Sequence, residues 1–446
     1  MTTTVFKTRA ERWHFERLRW TSVTLLTAGF MVAFFHRMAP AVLADELRTG
    51  FQASAVALGA LSAIYYYVYT AMQIPAGILA DTLGPRRNVA VMSLVAGLGS
   101  IVFALAPNLT IAGLGRFLVG FGVSTAFIGL MKHNANWFSE HRYAAISGFV
   151  MLLGNLGAVL AAAPLAALLT LASWRTIFIG AGLFSFVLAA LIWFFVRDRP
   201  EDAGLPNPRE LPGMEPVTQY SQHWFHSLRE VFMNRALWPV VLFFFGLLGN
   251  GLAFAGLWAV PMIEDRFGLE GPRASAYLTV NLICFALSSY AAGWLSDRIG
   301  RRRPVLLVAG AACCLSWLAM LWLPWGPGLS GYVLFGVIGL ATAAVAPAYA
   351  AAKELARPAV SGMAIALVNT ALFLGAALMQ PAFGWAMDWA WNGTVENGLR
   401  QYVWADYRNG LWLSFAVSVL GMLGALTMRE THNRHVGPHG TARVMP

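Results

Sequence analysis

Some twelve uninterrupted apolar runs, each about twenty residues long, recur along the 446 residues of this chain and constrain its fold more than any other feature. An α-helix needs ~20 apolar residues to cross a ~30 Å hydrocarbon core. Only helices and closed barrels satisfy their own backbone polar groups in lipid. The runs lie near 20–43, 55–80, 88–106, 111–131, 144–171 and 176–196, then near 238–263, 274–295, 305–323, 331–352, 361–387 and 411–428. They are continuous, whereas barrel strands alternate and are only ~10 residues long. The expected fold class is an all-α integral membrane protein with twelve transmembrane helices in two six-helix halves, both termini cytoplasmic. Composition agrees: 58% of residues are hydrophobic and 12% charged, against roughly 25% charged in a soluble domain.

The first run is preceded by Lys7, Arg9, Arg12, Arg17 and Arg19 and lacks a small-residue cleavage site, so it is expected to stay in the mature protein. With the amino terminus inside, most of the 31 Lys and Arg residues fall on inner segments, as the positive-inside rule demands. The formal charge of +10 then belongs to loops facing anionic headgroups and is no argument for nucleic acid. The three cysteines, Cys284, Cys313 and Cys314, lie within apolar runs without metal-site spacing and read as packing residues. His133, His141, His223 and His226 form no zinc pattern, so neither metal, cofactor nor enzyme chemistry is expected. Lys132 and His133 are placed at the headgroup boundary.

Between the sixth and seventh runs, Pro200, Pro206, Pro208, Pro212 and Pro216 break up the longest polar stretch. The chain therefore divides into an N-terminal segment (1–19), a first half (20–196), a cytoplasmic linker (197–236), a second half (237–428) and a tail (429–446). The halves repeat each other. Gly77-Ile-Leu-Ala-Asp81-Thr-Leu-Gly84-Pro85-Arg86-Arg87 returns as Gly293-Trp-Leu-Ser-Asp297-Arg298-Ile-Gly300-Arg301-Arg302-Arg303. Gly120 returns as Gly336 at the same offset, and Ser147, Gly148 and Asn155 return as Ser361, Gly362 and Asn369. Twelve spans in parallel six-helix halves are a transporter architecture.

At this point the chain resembles the major facilitator superfamily over nearly its whole length, because the loop pattern Gly-x-x-x-Asp-x-x-Gly-x-Arg-Arg stands in both halves. The resemblance implies solute transport by alternating access, with a gating latch formed by Gly77, Asp81, Gly84, Arg86 and Arg87 and a second copy at Asp297, Arg301 and Arg302. Asp81 is expected near Arg86 or Arg87. Arg116, opening Arg116-Phe-Leu-Val-Gly120-Phe-Gly122, resembles the superfamily's fourth-helix motif and would couple ion movement to transport.

A charge held in a membrane span costs at least ~2.5 kcal/mol on insertion scales, so embedded ions are functional candidates. Arg37 lies well inside the first run beside His36, with no carboxylate one helical turn away. An anionic substrate would supply the counter-charge, and a lone inward arginine there also resembles the superfamily's organic-anion branches, the anion:cation symporters and organophosphate:phosphate antiporters. Tyr65, Tyr69 and Gln73 share one helical face suited to hydrogen-bonding a solute, while Tyr66 and Tyr67 point elsewhere. Asn155 and Asn369 are candidate cavity amides, with Asn250, Asn281 and Gln380 as weaker ones. His36 is the group able to titrate in a proton-coupled cycle.

The expected function is secondary active transport of a small organic anion, a carboxylate or phosphate ester, by proton symport or exchange. The partners are the solute, the bilayer and, for symport, protons; a monomer in a bacterial inner membrane is expected. Amino-acid or peptide transport, drug export and a non-transporting receptor are the alternatives. Drug export is disfavoured because the fifth run reads Gly154-Asn155-Leu-Gly157 without the Gly-Pro pair of such exporters.

Overall fold

The computed structural model describes residues 8–206, 224–342, 344–357, 360–396, 399–432 and 434. His223 and the side chains of Asp81, Glu140, His141, Ala144, Ala145, Trp224 and Phe225 lie outside the described residues. The first half consists of α1 (Arg9–Val42), α2 (Ala44–Phe51), α3 (Ala55–Ala71), α4 (Gln73–Thr82), α5 (Gly84–Ala104), α6 (Leu109–Val123), α7 (Ala126–Trp137), α8 (Glu140–Leu160), α9 (Ala163–Leu169) and α10 (Trp174–Phe195). After the linker helix α11 (Trp224–Met233) come α12 (Trp238–Phe267), α13 (Pro272–Ile299), α14 (Arg303–Trp322), α15 (Leu329–Ala341), α16 (Val345–Leu355), α17 (Ser361–Ala390) and α18 (Trp404–Thr427). A short hairpin of β1 (Val395–Glu396) and β2 (Leu399–Arg400) precedes α18. Among the described residues eleven spans are long and apolar enough to cross a membrane, and the bent pair α2 and α3 brings the number to twelve.

Several runs that read as single helices are divided, each for a local reason. Pro75 offers no N–H to the carbonyl four residues back, and the second run separates at Met72 into α3 and α4. Tyr65 and Tyr69 therefore sit on α3, and Gln73 opens α4. Gln52, in a left-handed conformation with φ 50°, ends α2, and α3 departs from it at 117°. The linker is not irregular throughout: besides α11 it contains a 3-10 turn at Pro200–Ala203. Inside α12, two π-helical stretches, Phe244–Gly249 and Phe254–Trp258, widen the helix.

The described chain forms two compact units. Unit 1 comprises Met1–Ala39, Ala71–Ala161 and Leu168–Thr218; unit 2 comprises Pro40–Thr70, Ala162–Ala167 and Gln219–Pro446. In unit 1 the buried core joins Val23, Leu26 and Phe30 of α1, Val89 and Ala90 of α5, Leu130 and Trp137 of α7, and Leu188 and Ile192 of α10. In unit 2, Phe254 and Trp258 of α12 pack against Trp317, Phe335 and Phe383. Large apolar side chains such as Phe194, Leu287 and Val308 are exposed, as lipid rather than water requires.

Candidate solute site and charged latches

Unit 1 holds a cationic interior. Arg37 is 5% exposed and Arg116 1% exposed, each within a span otherwise apolar. The Arg37 guanidinium lies over the Phe34 ring, 4.6 Å from its centroid, where a cation gains from the ring's quadrupole. Arg116 Nη1 donates to the backbone carbonyl of His36 at 2.9 Å and so ties α6 to α1 at the residue beside Arg37. The His36 ring is fully buried, edge-on to Phe35 and Phe178. Neither ring nitrogen has a hydrogen-bond partner among the described residues.

In unit 2, Tyr65 and Tyr69 stack at 5.9 Å with 15° between their planes, and Tyr69 meets Phe373 of α17 at 4.5 Å. Tyr66 was expected to point away. It is instead buried in this same cluster, 5.3 Å from Tyr65, because the helix packs on more than one side; Tyr67 remains exposed. Asn369 Oδ1 accepts the Tyr349 hydroxyl at 2.6 Å.

The amides read as candidates have separate fates. Asn155, in unit 1, donates to the Met151 carbonyl of its own helix, so the repeated pair Asn155 and Asn369 is not equivalent in bonding. Asn250 and Asn281 join helices, the first to the Ser414 carbonyl and Ser418 Oγ, the second to the Phe335 carbonyl. Gln380 is fully buried, and neither of its side-chain polar atoms has a partner among the described residues. His133 is also fully buried, stacked on Trp137 at 5.5 Å.

The repeated loops are built on helix ends. In unit 1, Gly84 adopts φ +78°, a conformation glycine tolerates best, and a Cβ there would meet the Asp198 carboxylate at 2.6 Å. Asp198 Oδ1 accepts the Arg86 backbone N–H at 2.6 Å at the start of α5, where the helix dipole favours an anion. Arg86 Nε donates to the Trp193 carbonyl at 2.7 Å. The expected pairing with Asp81 lies outside the described residues, and Arg87 is exposed. Burial pushes the Asp198 carboxyl above its ordinary 3.8, partly offset by that N–H.

Unit 2 repeats the device with a different acid. Glu430 accepts the backbone N–H groups of Arg302 at 2.8 Å and Arg303 at 3.1 Å. Arg302 Nη1 bonds Asp297 at 2.5 Å and Nη2 bonds Glu354 of α16 at 2.9 Å, while Arg301 is exposed. Thr431 also donates to Glu354. Burial opposes the charge on Arg302, but its bonds to Glu354 and Asp297 hold the guanidinium above its ordinary value. Asp198 and Glu430 did not stand out in the sequence. The available signal was an acid shortly after the last helix of each half, which looks the same as a solvated end.

A family model described as Major Facilitator Superfamily matches residues 25–276 and 257–443. The chain belongs to the major facilitator superfamily. It is 24% identical over 297 residues to a probable sulfoacetate transporter of Cupriavidus necator, spanning 65% of this chain and 67% of that one. It is 23% identical over 318 residues to the hexuronate transporter of Escherichia coli K12, spanning 70% and 73%. The chain spans about two thirds of the length of the curated relatives it matches, 65% in the case of a Bacillus subtilis transporter. A bacterial homolog of the human lysosomal transporter Spinster superposes with a TM-score of 0.72 at 17% identity, over 92% of this chain and 96% of that one. That likeness shows the fold. As a multi-pass member of this superfamily the chain carries the loop motif twice, and the acids closing each copy come from the segments after α10 and α18.

Proposed function

We propose that this protein is a secondary transporter, with no enzymatic role, for a small organic acid, most simply a sugar acid or similar carboxylate, in a bacterial inner membrane with both termini cytoplasmic. The observation that carries the reading is the cationic interior of unit 1. Two buried guanidiniums, Arg37 and Arg116, lie on spanning helices, and α5, α6 and α10 contribute no aspartate or glutamate. Moving a charge into a membrane span is costly, so two of one sign favour an arriving anion. Relatives named for sulfoacetate and hexuronate support the substrate class. Arg37, with its planar fork of donors, would hold the carboxylate, and Arg116 would position α1 through its bond to the His36 carbonyl.

The test is thermal stabilisation of the purified protein by hexuronates, hydroxy acids, phosphate esters, amino acids and hydrophobic cations, with Arg37→Ala in parallel. A ligand at 100 times its dissociation constant adds ~2.7 kcal/mol to the native state. Stabilisation of the wild type by carboxylates and its loss in Arg37→Ala is the expected result. A response to hydrophobic cations alone, or an Arg37→Ala variant that responds as the wild type does, overturns the reading.

The driving force divides into proton symport and exchange. The surroundings of His36 favour exchange: an imidazolium there would stand among Phe35, Phe178 and the neighbouring Arg116, with no acceptor for either ring N–H among the described residues. Uptake into proteoliposomes that requires internal solute supports exchange, and uptake driven by a pH gradient into empty vesicles supports symport.

A further inference from the structure

Within unit 2, the amino-terminal end of α3 is completed by side chains from the far end of the sequence. A helix start leaves four backbone N–H groups without intrahelical partners. Here Ala57 N donates to Ser54 Oγ at 3.3 Å, which is local capping. The two before it are different: Val56 N donates to Asp388 Oδ2 of α17 at 2.9 Å, and Ala55 N donates to the Tyr402 hydroxyl at 2.8 Å. Tyr402 in turn donates to the other Asp388 oxygen at 2.5 Å, and Arg400 Nη1 pairs with that oxygen at 3.1 Å. One carboxylate therefore organises the cap, and its side chain is only 12% exposed.

Packing next to the cap is as close as two helices allow. A Cβ on Gly59 of α3 would stand 2.5 Å from the Gln380 carbonyl, and one on Gly384 of α17 would stand 2.4 Å from the Ala55 carbonyl. The two backbones meet directly, which any larger side chain forbids. Beside them Arg48 of α2 bonds Asp45 of its own helix at 2.7 Å and pairs with Asp265 of α12 at 3.6 Å, and Asp265 accepts the Tyr407 hydroxyl at 2.7 Å.

We propose that this junction is a latch, with Asp388 as its central positioning residue and the Gly59 and Gly384 contact as its seal. Alternating access requires one set of six helices to rock against the other. The segment 40–70 comes from the first six spans, while Asp388, Tyr402 and Asp265 come from the last six. Opening this end of the molecule must separate them, and the N–H groups of Ala55 and Val56 then pass from protein acceptors to water. The latch stabilises the state closed at this end, and its strength sets how often the end opens, whichever solute is carried.

Spin labels at the exposed positions Thr49 and Val395, in a chain with Cys284, Cys313 and Cys314 replaced, report the separation by pulsed electron resonance. The wild type is expected to show mainly one short distance. Asp388→Asn, which keeps the shape and weakens the cap, and Gly384→Ala, which forces the seal apart, should each add a longer population at least as large as the short one. If both variants fold, by their melting curves, and both give the wild-type distribution, the latch is overturned.

Discussion

Gly84 shows how one atom can decide a loop. Its φ of +78° and the Asp198 carboxylate 2.6 Å from the place of a Cβ leave room for hydrogen alone. The left-handed conformation costs an L-residue ~1 to 2 kcal/mol, and displacing Asp198 adds the loss of the cap on Arg86. Gly84→Ala is expected to lower the melting temperature clearly. Gly77→Ala, where nothing lies within 4 Å of a Cβ, should leave it nearly unchanged. The sequence marked both glycines equally, because a motif records residue types and not what each one touches.

The starts of α5 and α14 are the same construction carried out with different acids. Burial opposes ionisation of Glu430, but the N–H groups of Arg302, His432, Thr431 and Arg303 outweigh it and hold the carboxyl below its ordinary 4.5. A depressed value means that the unfolded chain takes up the proton first as pH falls. The stabilisation from Glu430 is thus complete above its ordinary value and disappears as pH falls through the lower folded one. Glu430→Gln should cost about 1 kcal/mol near neutral pH and should flatten the fall in melting temperature from about pH 5 downward. An unchanged slope would mean that the cap contributes nothing. Helix starts are a local matter where an Asx cap lies three residues before the group it bonds, as with Asn108, which accepts the Ile111 N–H at the start of α6. They were illegible where the capping acid arrives from a segment more than a hundred residues away.

Topology is the property on which the whole chain votes. If both termini face the cytoplasm, a cysteine at Thr49 in a chain free of other cysteines reacts with a membrane-impermeant maleimide on intact cells, and a cysteine at the exposed His226 of α11 reacts only after permeabilisation. The reverse pattern would invert every assignment of inside and outside. The number of spans, their pairing into two repeats and the family were all readable from hydropathy and a duplicated motif, because lipid imposes length and apolarity on each span separately. Arg37 and Arg116 were readable for the same reason, since a charge in an apolar run is conspicuous. Tertiary structure alone decided that the chain crosses between compact units within α1 and at the end of α3, and that Asp388 completes a helix from the other half. It also decided that Asn250 and Asn281 serve packing while Asn369 bonds Tyr349. Those outcomes depend on which polar group meets which across distant segments, and composition and spacing along one helix carry no record of such meetings.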